Sequence, residues 1–480
     1  KLKLEEMLLH CKPNILMSIL DPWQADYVND SPFRNKFKFV WMPTIDSSPV
    51  REDWVADYAR CDAVFAYSEF GKRTLEKQTA GQVKVIEVAG GGADPNIFQL
   101  IPNKVELRKK FGLSPDLFIV GSVMRNQRRK LYEDLLRSFE IYLDKVPEDI
   151  AKRSFMYWHT NAMDVGFNLI NLIKESKVGH KILFTYSCQN CKNIFISLCQ
   201  DNITFCPRCG QCSARMPSVR EGISQQDLAV IMNLFDCYIQ LAIASGIEIP
   251  VMESSMCGVV PFVLNYGGME DYAKTLNATM IPVERFFLES ETEAYRAYPN
   301  NIVLADKLAQ FAQLPQSIRQ KKGFEVRQKA IKHYSWDVIS KKWENYFDEL
   351  KLEDRWSEPP SIYNPPSSVP QGMNNEQFVQ WCYTAVLAKP ELLNTFPAIR
   401  LVRDLNYGMK CEGRGGIYLT AGEMGILSLE PRHTNVTQQS VFEEFRGRRL
   451  EINKWEQIRV GILSYQPSPM IVLHKEPNPI

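Results

Sequence analysis

Two C-x-x-C pairs, Cys188-Gln189-Asn190-Cys191 and Cys206-Pro207-Arg208-Cys209, are separated by 14 residues. Each thiolate pair at this spacing can hold one edge of a tetrahedral Zn2+, and two pairs complete it. The interval suits a short hairpin, and Gly210 permits the tight turn behind the second pair. Four thiolates leave no open coordination position, so the expected work of the metal is structural: it folds an insert too small for a core of its own. Cys199 and Cys212 are spare, and Cys212 competes as a ligand. Zinc ribbons also serve as docking surfaces, and the spacing does not choose between protein and nucleic acid.

A second chemistry lies in charge. Gly121 to Lys130 reads Gly-Ser-Val-Met-Arg-Asn-Gln-Arg-Arg-Lys, between an apolar run and a helical pattern. Small residues at a strand-to-helix turn let backbone N–H groups approach an anion, and the helix dipole favours negative charge there. Arg125 and Lys130 add point charges for a diphosphate. The same turn also serves as an ordinary solvated surface. Glu253, within Pro250 to Pro261, reads as lying at a helix start beneath a strand end. A carboxylate there can accept both hydroxyls of a ribose, or simply complement the helix N-terminus. No Ser-His-Asp or Cys-His arrangement is recognisable.

The elements that must position these groups alternate. Asn14–Leu20, Phe37–Trp41, Ala63–Tyr67 and Val83–Val88 read as strands, with a helix over Glu69–Thr79. After a polar, Pro-bearing crossing near Asp94 to Asn103, a second series follows. Its strands are Leu117–Val123, Phe155–Trp158, Ile182–Tyr186, Cys237–Leu241 and Val259–Leu264, with helices near 131–143, 169–174, 225–234 and 316–333. Near-continuous apolar strands alternating with helices predict α/β structure, parallel sheets covered on both faces. The prolines of 353–373 predict a semi-rigid linker, and 374–480 a small α or α+β domain without a chemical motif.

Composition bounds the rest. The chain has 480 residues, 57 Lys and Arg against 56 Asp and Glu, and a net charge of +1, which excludes a polycationic nucleic-acid coat or an acidic tail as its main identity. No apolar run reaches the roughly 18 residues of a membrane span, and Lys1 to Glu6 is charged and helix-prone, unlike a signal peptide. Six of the 12 cysteines fall between Cys188 and Cys212, which points to a metal in a reducing, cytoplasmic setting rather than to a disulfide scaffold.

Taken together, the residues resemble the retaining glycosyltransferases of the GT-B fold, most closely glycosyltransferase family 4, over residues 13–350. The resemblance rests on Tyr67 to Lys72 and on Val88 to Phe98, which is similar to a "G-x-D-x-x-x-F" stretch through Gly92, Asp94 and Phe98. The Arg125/Lys130 turn, the Pro250–Pro261 block and Tyr334-Ser335-Trp336 carry the rest. It implies two doubly wound Rossmann-like domains facing a cleft, with the zinc-ribbon insert and the small C-terminal domain added. The implied acceptor-side domain spans 1–103 and lacks its first βα unit, since Lys1–Lys12 holds neither strand nor Gly-rich loop. The nucleotide-sugar domain spans 104–335, with the ribbon at 186–213, and 336–352 is a helix returning to the first domain.

By the same resemblance the chain is a hexosyltransferase, moving a sugar from a UDP-, GDP- or ADP-sugar to a protein, glycan, lipid-linked or DNA acceptor with retention. Arg125 and Lys130 would neutralise the departing diphosphate, and Asp46 would contact the reacting sugar. Glu253 would hold the ribose, the Gly267-Gly268-Met269 turn would face the sugar or phosphates, and His159 would end a strand at the cleft. The sequence departs from the "E-G-F-G-x-P-x-x-E" pattern: Ser245 stands at the first glutamate and Glu248 replaces a glycine that approaches the donor. Glu248 either contacts the sugar or alters donor binding. Two alternatives follow: a non-catalytic GT-B-derived scaffold assembling with a protein partner through the ribbon or C-terminal domain, and an enzyme glycosylating modified DNA bases.

Overall fold

The computed structural model describes residues 4–29, 31 and 33–356, so the expected domain over 374–480 and most of the 353–373 linker lie outside the described residues. The chain forms two compact units. The described part of the first comprises 4–41, 60–62 and 351–356; the second comprises Met42–Ala59 and Ala63–Leu350.

In the first unit the helix Leu4–Cys11 precedes β1 (Ile15–Ser18), which pairs in parallel with β2 (Lys38–Trp41), Ile15 opposite Lys38. Phe37, just before β2, and Phe39, Val40 and Trp41 within it are fully buried, as the apolar part of a strand covered on both faces requires. Asp62 fixes the strand start: it accepts from the Phe39 amide at 2.8 Å and pairs with Arg34 at 2.7 Å and Lys38 at 3.3 Å. Burial alone would raise this carboxyl, but those partners hold it below its usual range.

In the second unit, after the helix Glu52–Ala59, β3 (Ala63–Ala66) and β4 (Val85–Val88) form a parallel pair bridged by the helix Glu69–Gln78. Ser68 caps that helix, its hydroxyl accepting from the Gly71 amide at 3.2 Å. A larger sheet is then built from β5 (Phe118–Val123), β6 (Ser154–His159), β7 (Ile182–Cys188), β8 (Ile194–Leu198), β9 (Ile203–Thr204), β10 (Ala214–Arg215), β11 (Cys237–Gln240), β12 (Val260–Leu264) and β13 (Thr279–Ile281). Its order is β13-β12-β11-β5-β6-β7-β10-β9, with β8 beside β7. Strands β5, β11 and β12 are buried at every position: the helix Ile249–Met256 packs against β11 and β12, and Tyr142 and Phe311, from the helices Tyr132–Lys145 and Asn301–Gln313, pack on Phe118 of β5.

Each apolar run read as a strand forms one, trimmed or extended by a few residues at its ends. The antiparallel strands β8 to β10 and the hairpin β14 (Val283–Glu289) and β15 (Ala294–Pro299) did not stand out from the strand–helix alternation. β9 and β10 are only two residues long, and all five stand outside any βα unit. Asp236, just before β11, ties the sheet base together: it takes Arg108 at 2.6 Å and the Ile119 amide at 2.8 Å. After the long helix Gln316–Tyr334, the Tyr334 carbonyl accepts from the Ala93 amide at 2.9 Å. The helix Trp336–Glu349 then stacks Trp343 on Phe65 of β3, ring centroids 4.0 Å apart. Among the described residues no helix is long and apolar enough to cross a membrane.

Candidate functional site

The larger sheet starts at its middle. From β5 the chain adds β6 and β7 on one side, then returns to lay β11, β12 and β13 on the other, with β5 and β11 parallel neighbours. The loops leaving adjacent strands β5 and β11 therefore diverge, and their carboxyl ends open the crevice where ligands bind in doubly wound sheets. The loop after β5 carries Arg125 to Lys130, and the loop after β11 carries Ser245 to Glu248. Two bonds to backbone carbonyls join them: the Ile243 amide donates to the Arg129 carbonyl at 2.9 Å, and Arg129 Nη1 donates to the Ala244 carbonyl at 3.4 Å.

Lys130 ends a single 3-10 turn, Arg128–Lys130, and Leu131 follows in the left-handed conformation, φ 51°, before the helix Tyr132–Lys145. This bend turns the Lys130 side chain inward, to 5% exposure, onto the Glu248 carboxylate, itself 7% exposed. Arg129 lies 3.7 Å from the same carboxylate oxygen. Burial draws the Lys130 ammonium below its ordinary pKa, against the pull of Glu248. Arg125 points elsewhere: its guanidinium grips Asp164 through two bonds of 2.8 and 3.1 Å, and 43% of its side chain stays exposed. Asn126, which sequence reasoning missed, makes that grip possible. Fully buried, it donates to the Phe167 carbonyl at 2.7 Å and accepts from the Phe167 amide at 3.0 Å, pinning the loop that carries Asp164.

Glu253 departs from its expected place at a helix start. The helix runs Ile249–Met256, with Pro250 in its first turn, so Glu253 falls in the second turn. It is 8% exposed, and no hydrogen bond or ion pair engages its carboxyl among the described residues. Burial pushes that carboxyl up to about 7.

Asp46 is also internally engaged. Arg296 of β15 donates to it at 2.8 Å and to Ser47 Oγ at 2.9 Å, while Glu289 of β14 takes the other side of the guanidinium. Arg296 had no signal in the sequence, because the hairpin that delivers it lies 250 residues from Asp46. Gly267 and Gly268 lie backbone to backbone against these same loops. Gly267 has φ 64°, and a Cβ on it would sit 2.5 Å from the Asp46 carbonyl oxygen; one on Gly268 would sit 1.9 Å from that of Gly246. The Gly268 amide donates to the Ser245 carbonyl at 2.8 Å. Met269, read as facing a ligand, is fully buried, so its side chain belongs to the core. Ser245, at the expected glutamate position, donates to the Ile247 carbonyl at 3.0 Å.

His159 ends β6 beside Val123 of β5, half-buried, with Nδ1 2.9 Å from Thr185 Oγ1. Burial lowers its pKa to about 4, so it is neutral at pH 7. The crevice thus brings together Lys130, Glu248, Ser245, Gly267, Gly268 and the Asp46 backbone. Arg125 and His159 stand along the same carboxyl edge of the sheet, where β6 follows β5.

The cysteine site forms separately at the carboxyl end of β7, where Cys188 is the last residue. Cys188, Cys191, Cys206 and Cys209 place their sulfurs within 4.8 Å of one another. The two pairs are near copies. The Lys192 amide donates to the Cys188 carbonyl at 3.0 Å and the Gly210 amide to the Cys206 carbonyl at 2.9 Å. Both turn residues have positive φ, 56° and 72°. Sulfurs from opposite pairs approach to 3.7 Å (Cys188–Cys209) and 3.6 Å (Cys191–Cys206). A disulfide needs about 2.05 Å, whereas a tetrahedral ion with metal–sulfur bonds of about 2.3 Å needs sulfur edges of about 3.8 Å. The quartet could therefore hold a metal ion. Cys199 and Cys212 are outside it.

No family model and no curated protein matches the sequence. Solved structures do. A sucrose-phosphate synthase from Thermosynechococcus elongatus aligns with TM-score 0.52 and 13% identity, over 72% of this chain and 76% of its own. The E. coli trehalose-6-phosphate structure bound with UDP-2-fluoro glucose aligns with TM-score 0.50 and 13% identity, over 73% and 77%. The chain has the α/β fold of these GT-B glycosyltransferases.

Proposed function

We propose that the chain is a retaining glycosyltransferase related to family 4, using a nucleoside-diphosphate sugar, with Zn2+ held by Cys188, Cys191, Cys206 and Cys209. The observation that carries the reading is the crevice at the β5/β11 switch point, which combines a buried lysine with two glycines packed against the Asp46 loop; the helix Ile249–Met256 that follows the Ser245–Glu248 loop carries Glu253, a buried carboxyl. That the E. coli neighbour binds UDP-2-fluoro glucose supports a nucleotide-sugar donor. In this reading Glu253 accepts the ribose hydroxyls, and Lys130 and Arg125 offset the charge that develops on the diphosphate. His159, neutral, offers a hydrogen bond to the donor. Asp46, oriented by Arg296, contacts the reacting sugar.

The reaction breaks the bond between the anomeric carbon and the diphosphate oxygen and forms one to an acceptor hydroxyl oxygen on the same face. The acceptor proton leaves with the diphosphate, because in this reading Glu253, Asp46, His159 and Glu248 have other partners or roles. Donor turnover with UDP-, GDP- and ADP-glucose, followed by nucleotide release, tests the reading. One nucleotide is expected to turn over, with loss in an Arg125→Ala variant that unfolds like the native protein. Undiminished turnover in that variant removes Arg125 from the role.

A second reading, a non-catalytic shell, has one observation in its favour: three cations at or beside the crevice face internal carboxylates, Lys130 with Glu248, Arg125 with Asp164, Arg296 with Asp46. Absence of UDP, GDP and ADP binding by calorimetry would favour it.

A further inference from the structure

Glu248 is the residue for which local structure offers no use. It directly precedes the helix Ile249–Met256 yet makes no capping bond to it. Capping is commonly the work of Ser, Thr, Asn or Asp, whose short side chains reach the free amides. The longer side chain instead turns back onto Lys130 across the crevice, 118 residues away in sequence. Both groups are withdrawn from water, at 5% and 7% exposure, and a lysine so placed requires an anion beside it. To an ammonium, a carboxylate oxygen and a phosphate oxygen are equivalent partners, each accepting a charge-assisted hydrogen bond. The neighbouring Arg129, 3.7 Å from the same oxygen, adds to the attraction without a carboxylate of its own.

We propose that Glu248 is an internal stand-in for a ligand phosphate: it fills the anion position at Lys130 in the ligand-free protein, and a diphosphate enters only by displacing it. This rests on reading the crevice as a nucleotide site, and assigns Glu248 the control of that site's affinity for anions. The exchange trades one Lys130–anion pair for another, so much of the electrostatic gain expected from a buried lysine is already spent on Glu248. Ligands whose charge is confined to a single weak anion have nothing with which to outcompete a tethered carboxylate. A diphosphate carries several charges and can span Lys130 and Arg129 together.

Glu248→Gln keeps the side-chain volume and an oxygen for Lys130 while removing the competing charge. Calorimetry with inorganic pyrophosphate and with UDP, on native and Glu248→Gln protein in one low-salt buffer, tests the idea. The variant is expected to bind pyrophosphate at least tenfold more tightly than the native chain. Equal or weaker affinity, including no measurable binding by either protein, overturns the proposal. Should the Gln variant not fold by near-UV circular dichroism, Glu248→Asp retracts the carboxylate by one methylene at constant charge. Tighter pyrophosphate binding in it supports the proposal, and unchanged or weaker binding overturns it. The two readings separate on the nucleoside. A gain for pyrophosphate with UDP no tighter than pyrophosphate keeps the role of Glu248 and discards the nucleotide site. Tight UDP binding by the native chain, unchanged in the variant, keeps the nucleotide site and discards the role of Glu248.

Discussion

The cysteine insert and the crevice concentrate reactive groups in opposite ways. In the insert, four like ligands converge, and the quartet contains no cation to offset the charge that thiolates would carry. Such a cluster is complete only with an external cation, and its sulfur spacing is already that of a tetrahedral ion. At the crevice and beside it, three cations already have a carboxylate: Glu248 for Lys130, Asp164 for Arg125, Asp46 for Arg296. A ligand there must compete with the protein's own charges. One site is arranged so that an ion could complete it, the other to hold itself together without a ligand. Glu253, on the helix that follows the Ser245–Glu248 loop, is different again: it is buried and unpartnered among the described residues.

Taking the metal away from the insert is the strongest way to break this contrast. Structural zinc in small domains contributes on the order of 10–16 kcal/mol of apparent binding energy near pH 7. Cys206→Ser should release a single zinc, measured by mass spectrometry of the metal, and raise hydrogen exchange across 186–215. Cys212→Ser should do neither, because Cys212 is exposed and outside the quartet. If Cys206→Ser retains its zinc and its exchange protection, the insert folds without needing its ion and the contrast fails.

In the crevice the corresponding break removes one member of the buried pair. Lys130→Met leaves Glu248 desolvated without its cation, which costs about 3–5 kcal/mol for pairs of this kind. Replacing both, Lys130→Met with Glu248→Leu, should recover most of that loss, since an apolar pair of similar volume is often neutral or stabilising. Chemical denaturation of the two singles and the double measures the coupling. A single variant as stable as the native protein would mean that the pair is not the internal balance described here.

These differences explain what could be read from the chain. The cysteine ligands were legible because all four lie within 22 positions and the motif is local. The Arg125–Lys130 turn was legible as a strand-to-helix loop, but its partners were not, since Asp164 and Glu248 lie 39 and 118 residues away. Glu248 stood out only as a misplaced residue where a glycine was expected; its direction needed the left-handed bend at Leu131. The parallel strands announced themselves as apolar runs. The β14–β15 hairpin did not, because Phe286, Leu288 and Tyr295 face outward and its inward work is done by an arginine and a glutamate. The expectation for 374–480 falls outside the described residues.

Glu253 gives the finest test, through pH. Its carboxyl is raised from 4.5 to about 7 by burial. Between those values the folded chain holds more protons than the unfolded one, so this group's contribution to stability falls as pH rises through the window. At about 1.4 kcal/mol per pKa unit the loss over the whole window is at most about 3.5 kcal/mol, and Glu253→Gln should abolish it in denaturation midpoints measured at pH 5 and 8. Ligand binding should run the other way. Ribose hydroxyls donate to the ionised carboxylate, so nucleotide affinity should increase as pH passes through 7. Glu253→Gln should weaken it by about 1.5–3 kcal/mol, the usual worth of hydrogen bonds to a charged group. The opposite slopes matter more than either magnitude. A carboxyl buried only for packing would show the stability slope alone, with nucleotide affinity flat from pH 6 to 8, whereas a ribose acceptor must show both, because the binding energy is what offsets the cost of ionising it in place.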